Sequence, residues 1–188
     1  FIEDYLGAPD AGWLLLVYFL CAVAAMPCCA WAARRWSKHR AWGGAMAFCC
    51  AVFACALLLR PGDVAGFAVI CVLTGLALSA DLALPPAMQA DVVDVDTAAS
   101  GEQRTGLFVA LWSVATKAAL ALAGGAALIA LQLSGFVAGG ANTPEALRAL
   151  ALLYAGAPVA LKLLAVVLMW NFPLSREIHD SLRARIEA

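Results

Sequence analysis

The chain has 188 residues, of which 64% are hydrophobic and only 13% charged, with a formal net charge of −1 and a mean hydropathy of +0.88. Soluble domains are about 45–50% apolar and about 25% charged, and a small domain leaves too much of its surface in water to hide this much apolar side chain. A soluble enzyme, a disordered chain and a nucleic-acid binder are excluded. The long apolar runs do not alternate as barrel strands would, so the expected class is an all-α integral membrane protein.

Five apolar runs are long enough to cross a bilayer as helices, which takes about 20 residues, at 12–33, 41–59, 64–90, 106–133 and 149–172. The first two carry no charge, and the others carry one each: Asp81, Lys117 and Lys162. Asp10 is the expected N-cap of the first span, and the stretch 34–40 is a short basic turn. Pro61 and Gly62 mark the next turn, and 91–105 reads as a polar loop. A Gly-rich stretch then leads to Thr143-Pro144, an N-cap followed by Pro at the first helical position. Eight of the basic residues in and beyond the connections (Arg34, Arg35, Lys38, Arg40, Arg104, Arg176, Arg183 and Arg185) fall on one side, against Arg60 and Arg148 on the other. By the positive-inside rule the first side is cytoplasmic and the N-terminal side is external. Trp13, Trp31, Trp36, Trp42 and Trp170 fall near span ends, as interfacial anchors do. The stretch 174–188 spaces Ile178, Leu182 and Ile186 as an amphipathic cytoplasmic helix. Phe1-Ile2 reads as the tail of a preceding helix, so the chain is expected to be a piece of a longer protein.

All seven Cys lie in the predicted spans. Their adjacent pairs, Cys28-Cys29 and Cys49-Cys50, lack metal-site spacing, and they read as small apolar packing residues. Gly75, Ser79 and Ala83 follow a small-xxx-small pattern on the third span. Gly106, Ala110, Ser113, Lys117, Ala121 and Gly124 form a small and polar face on the fourth, expected to meet protein or water rather than lipid. Pro85 and Pro86 remove the helical donors to the carbonyls of Asp81 and Leu82, and are expected to interrupt the third span as a flex point. A mid-helix charge costs about 2.5–3.5 kcal/mol by insertion scales. Asp81 lies about 14 Å and Lys117 about 17 Å from the cytoplasmic ends of their spans at 1.5 Å per residue. The two are therefore expected to share a polar cavity and to pair. Lys162, among leucines, is read as snorkelling towards the interface. Asp91 and Arg104, at the ends of consecutive spans, are expected to meet at the cytoplasmic mouth.

The stretch Gly75-Leu-Ala-Leu-Ser-Ala-Asp-Leu-Ala-Leu-Pro-Pro-Ala-Met-Gln-Ala-Asp-Val-Val-Asp94, with Arg104-Thr-Gly-Leu-Phe-Val-Ala-Leu-Trp-Ser-Val-Ala-Thr-Lys117, resembles the glycoside–pentoside–hexuronide cation symporters, the melibiose-permease-like branch of the major facilitator superfamily. The basic turn Arg34-Arg-Trp-Ser-Lys-His-Arg-Ala-Trp42 and the tail Phe172-Pro-Leu-Ser-Arg-Glu-Ile-His179 resemble that family's cytoplasmic segments. The resemblance implies that residues 1–173 are five helices of the C-terminal six-helix bundle of a twelve-helix transporter. Lys117 then corresponds to a lysine facing the central cavity and Ser113 to a hydroxyl lining the sugar site; Asp81, from its depth, is expected to line the same site. Arg34, Arg35, Lys38, Arg40, Asp91, Asp94 and Arg104, at the cytoplasmic ends of the spans, are expected to be gating contacts. Leu82 stands where melibiose-permease-type members carry a cavity tryptophan, and Ser37 where the basic turn usually has Gly. The resemblance also implies a small-molecule substrate, no cofactor in this chain, and a Na⁺ or H⁺ site mainly in the N-terminal six-helix half that would be its partner. Rival readings are a lipid or drug carrier on the same fold, a membrane assembly subunit, and an intramembrane enzyme. The last lacks an embedded His or acid pair for chemistry.

Overall fold

The computed structural model describes residue 2, residues 12–60 and residues 62–169. Every regular element among the described residues is helical, with no strand. Five helical segments, Trp13–Trp36, Lys38–Leu58, Val64–Ser100, Thr105–Leu133 and Pro144–Met169, are long and apolar enough to cross a membrane. They match the five expected spans in number and order. Asp10, Trp170 and the tail at 174–188 lie outside the described residues.

Helix α1 (Trp13–Trp36) keeps Pro27 within it and carries Arg34 and Arg35 in its last turn, where cations complement the negative end of the helix dipole. Ser37 alone joins α1 to α2 (Lys38–Ala54), with φ 97° and ψ 152°. That region is costly for any residue with a Cβ. A 3₁₀ turn, Cys55–Leu58, completes the second span.

Helix α3 (Val64–Ser100) begins with the Asp63 side chain accepting from the Gly66 backbone N–H, a side-chain N-cap. It ends at Gly101, where φ is 73° and the N–H bonds back to the Thr97 carbonyl, the αL C-cap that glycine favours. Its 37 residues extend about 55 Å at 1.5 Å each, well beyond a hydrocarbon core of about 30 Å. Residues 91–100, expected as loop, therefore continue the helix. Pro85 and Pro86 lie inside it without ending it, correcting the expected interruption. One proline-deprived turn loses its local bonds, and α-helical pairing resumes on either side.

Helix α4 (Thr105–Leu133) has no buried residue. The last span starts at Thr143, whose side chain accepts from the Ala146 N–H ahead of Pro144. It comprises α5 (Pro144–Ala151), a π-helical turn Leu152–Gly156 and α6 (Ala157–Met169). Pro158 has no N–H to offer the Tyr154 carbonyl, and the widened turn sits just before it.

Packing centres on α3. One cluster joins Leu14 of α1, Ala56 and Leu59, Phe67, Ile70 and Cys71 of α3, and Ala155 of the π turn. A second joins Cys29 of α1 to Ala80 and Leu84 of α3, with Trp42 of α2 against it. Among the described glycines, the tightest approach to another helix is at Gly75, where a Cβ would lie 2.5 Å from the Tyr18 carbonyl oxygen. The small residues of α3 thus let α1 sit directly on its backbone.

Candidate functional site

The charge within the third span is held by three helices. The indole N–H of Trp42 on α2 donates to Asp81 Oδ1 at 2.8 Å. The Lys162 ammonium on α6 pairs with Asp81 Oδ2. Trp42 was expected as an interfacial anchor and Lys162 as a snorkelling lysine. Both are instead turned inward by the need to partner a carboxylate in an apolar surrounding. The expected Asp81–Lys117 pair is corrected accordingly. Depth along two helices does not set which way their side chains face, and Lys117 projects from α4 exposed.

Beside this cluster is a cavity of about 620 Å³. Its wall is mostly apolar and includes the rings of Tyr18, Phe53, Phe67 and Tyr154, with Asp81 and Lys162 as its charged groups. The Tyr154 ring packs 5.3 Å from Phe53 and 6.3 Å from Phe67, centroid to centroid. The Cys50 thiol donates to the Val159 carbonyl at 3.7 Å, tying α2 to α6 on the same side. Lys117 and Ser113 are not on this wall. They sit on the small-residue face of α4, Lys117 exposed and Ser113 half-buried. Added Cβ atoms at Gly106 and Gly124, on that face, would meet nothing within 4 Å.

The cytoplasmic residues group into two ion-paired contacts on the far end of α3. The Lys38 ammonium donates to both oxygens of Asp91, at 2.6 and 2.7 Å, and to the Ala87 carbonyl at 3.3 Å. Arg104 donates to both oxygens of Asp96, at 3.1 and 2.7 Å, and lies 3.9 Å from Glu102. Asp91 and Arg104 therefore do not meet each other, because the helix runs on past Asp91 and brings Asp96 opposite the start of α4. Arg34, Arg35, Arg40 and Asp94 lie exposed near the same end. Gln89 donates to the Phe108 carbonyl at 3.0 Å, joining α3 to α4. Pro85 is buried and Pro86 exposed, one turn beyond Asp81. Asp96, within the stretch 91–105 that reads from sequence as a polar loop, is not among the expected gate residues. The signal available for it was the eight-residue interval to Arg104 across a glycine helix stop.

Five apolar helical spans, with a carboxylate and two lysines within them, define a polytopic helical membrane protein. The model of the family described as MFS/sugar transport protein matches residues 1–176, and the chain belongs to that family. It is 30% identical over 137 residues to an uncharacterized symporter of Synechocystis sp., covering 70% of this chain and 25% of that protein. It is 33% identical over 101 residues to a glucuronide carrier protein homolog of Escherichia coli, covering 54% of this chain and 22% of that protein. These relatives are carriers rather than enzymes and agree with the glycoside–pentoside–hexuronide branch. The chain spans about a quarter of the length of the curated relatives it matches.

Proposed function

We propose that the chain is the C-terminal membrane half of a secondary carrier that moves a sugar, glycoside or related polar solute together with Na⁺ or H⁺ by alternating access. The observation that carries this reading is Lys117. It stands twelve residues into α4, about 18 Å along the helix at 1.5 Å per residue. It is exposed, and no ion pair or hydrogen bond among the described residues involves it. An ammonium at that depth is stable only against protein or water. The small, polar face carrying Lys117 and Ser113 is therefore the side that fits a hydrated central path, closed by an N-terminal six-helix half. Membership of a sugar-transport family and the carrier names of its relatives support the substrate class.

In this reading Lys117 and Ser113 contact the solute, the coupling cation binds mainly in the other half, and no further cofactor is needed. The paired ends Lys38–Asp91 and Arg104–Asp96 act as cytoplasmic latches, with Arg34, Arg35, Arg40 and Asp94 beside them. With their cations 38% and 42% exposed, such pairs are each worth about 0–1 kcal/mol, weak enough to break in every cycle. The protein lies in the bacterial inner membrane with a cytoplasmic C-terminus. The test is uptake of glycosides and hexuronides by the full-length protein in proteoliposomes, wild type against Lys117→Ala. The reading expects wild-type uptake to be lost in a variant that remains folded. Unchanged uptake in the variant would remove Lys117 from the path.

A further inference from the structure

The Asp81 cluster lies within the third span, where its carboxylate is tied from two sides. Each carboxylate oxygen has its own donor, and the two donors come from different helices: Trp42 on α2 and Lys162 on α6. The Asp81 and Lys162 side chains, 26% and 29% exposed, are the charged groups of a mostly apolar cavity wall. Asp81 is the one carboxylate on the cavity wall among the described residues, so Lys162 has no second acid there to move to. Opening the pair would leave two separate charges among apolar walls, where each is strongly disfavoured. Nearby contacts bind these helices to one another and to α1. The Cys50 thiol bonds α6 through the Val159 carbonyl, and the Gly75 backbone lies directly under Tyr18 of α1. The pairs of Lys38 and Arg104 lie at the far end of α3 instead, with their cations 38% and 42% exposed. Helix α4, which carries Lys117, buries no residue against this group.

We propose that Asp81, Lys162 and Trp42 form a permanent tie that keeps α2, α3 and α6 one rigid body throughout the transport cycle. Asp81 is then a positioning residue rather than a solute ligand, and the solute path follows the Lys117 face of α4. The proposal rests on the carrier reading for the word cycle, but its geometry does not. A switch would need the pair to open in one state, whereas a tie needs it closed in all of them.

The test is a pulsed electron-spin distance measurement on the full-length protein in lipid nanodiscs. Spin labels are placed at Leu76 on α3 and Leu164 on α6, both exposed, with the seven native cysteines replaced by Ala. Spectra are taken at acidic and neutral pH, with and without Na⁺, and with p-nitrophenyl β-glucuronide as the probe solute. The tie predicts one narrow distance that none of these conditions moves, and a broadened distribution in Asp81→Leu. If Asp81→Leu fails to fold because Lys162 is left unpaired, the double variant Asp81→Leu/Lys162→Met carries no stranded charge and must show the same broadening. Two exchanging distances in the otherwise native protein would overturn the tie. So would a distribution in these variants as narrow as with Asp81 and Lys162 in place. The readout is a distance rather than uptake, so a protein that carries no solute would sink the carrier reading while leaving the tie to be judged on its own result.

Discussion

Replacing Gly75 by Ala drives α1 and α3 apart. The new Cβ would lie 2.5 Å from the Tyr18 carbonyl oxygen and 3.0 Å from the Cys21 Cβ, where carbon contacts are ordinarily about 3.5–4.0 Å. Neither obstacle is a flexible side-chain end. Both belong to the body of a 24-residue helix, so relief comes only by shifting that helix by up to an ångström, at the expense of contacts along the α1–α3 seam. Overpacking costs about 1–3 kcal/mol, and a backbone clash belongs at the upper end of that range. Alanine's better helix propensity returns at most about 1 kcal/mol, leaving a net loss of about 1–2 kcal/mol. Gly44 on α2 is the internal control, because a Cβ there meets nothing within 4 Å and only the propensity gain applies. Equilibrium unfolding of the full-length protein in mixed micelles, followed by tryptophan fluorescence, should give Gly75→Ala a lower midpoint than wild type and Gly44→Ala an equal or higher one. Equal midpoints for Gly75→Ala and wild type would refute the close-approach account of how α1 seats on α3.

Ser37 holds φ 97° and ψ 152°, so Ser37→Gly should stabilise by about 1 kcal/mol through release of backbone strain, while Ser37→Ala should not. A rise in unfolding midpoint confined to the Gly variant checks this. Lys38→Ala should change stability by less than about 1 kcal/mol yet alter turnover, because it removes the bonds from α2 to Asp91 and Ala87; uptake rate and unfolding midpoint measured side by side separate the two effects. Asn142 accepts from the Val137 N–H at 2.7 Å and donates to the Val137 and Gly140 carbonyls at 2.8 and 3.0 Å. Asn142→Ala should therefore free that loop, raising amide hydrogen exchange at 137–142 while exchange within α3 stays unchanged.

The spans were legible because hydrophobic length is a local property, and a backbone in lipid must pair within its own segment. Thr143-Pro144 was legible for the same reason, since its cap is made within three residues. The end of α3 was not, because Asp91 and Asp96 look solvated until their partners are known. Lys38 lies 53 residues before Asp91, and the glycine at 101 was the better stop signal. Lys162 was misread because its leucine neighbours describe its own helix face and say nothing of a carboxylate 81 residues earlier. Equal depth made Asp81 and Lys117 look like partners, but pairing also requires the two side chains to face each other. That rotation is set by packing, here by Gly75 and Ser79 on α3 and by Trp42 reaching across from α2. The polar face of α4 was readable as a pattern, and it remains open in the described chain.

The most direct test of the account is solute accumulation by the full-length protein in proteoliposomes, with an imposed Na⁺ or H⁺ gradient and again after an ionophore has collapsed it. The account predicts uptake of at least one glycoside or hexuronide above its equilibrium level under one of the two gradients, falling to equilibrium when that gradient is removed. Accumulation of no member of the panel, or uptake indifferent to both gradients, would contradict cation-coupled symport.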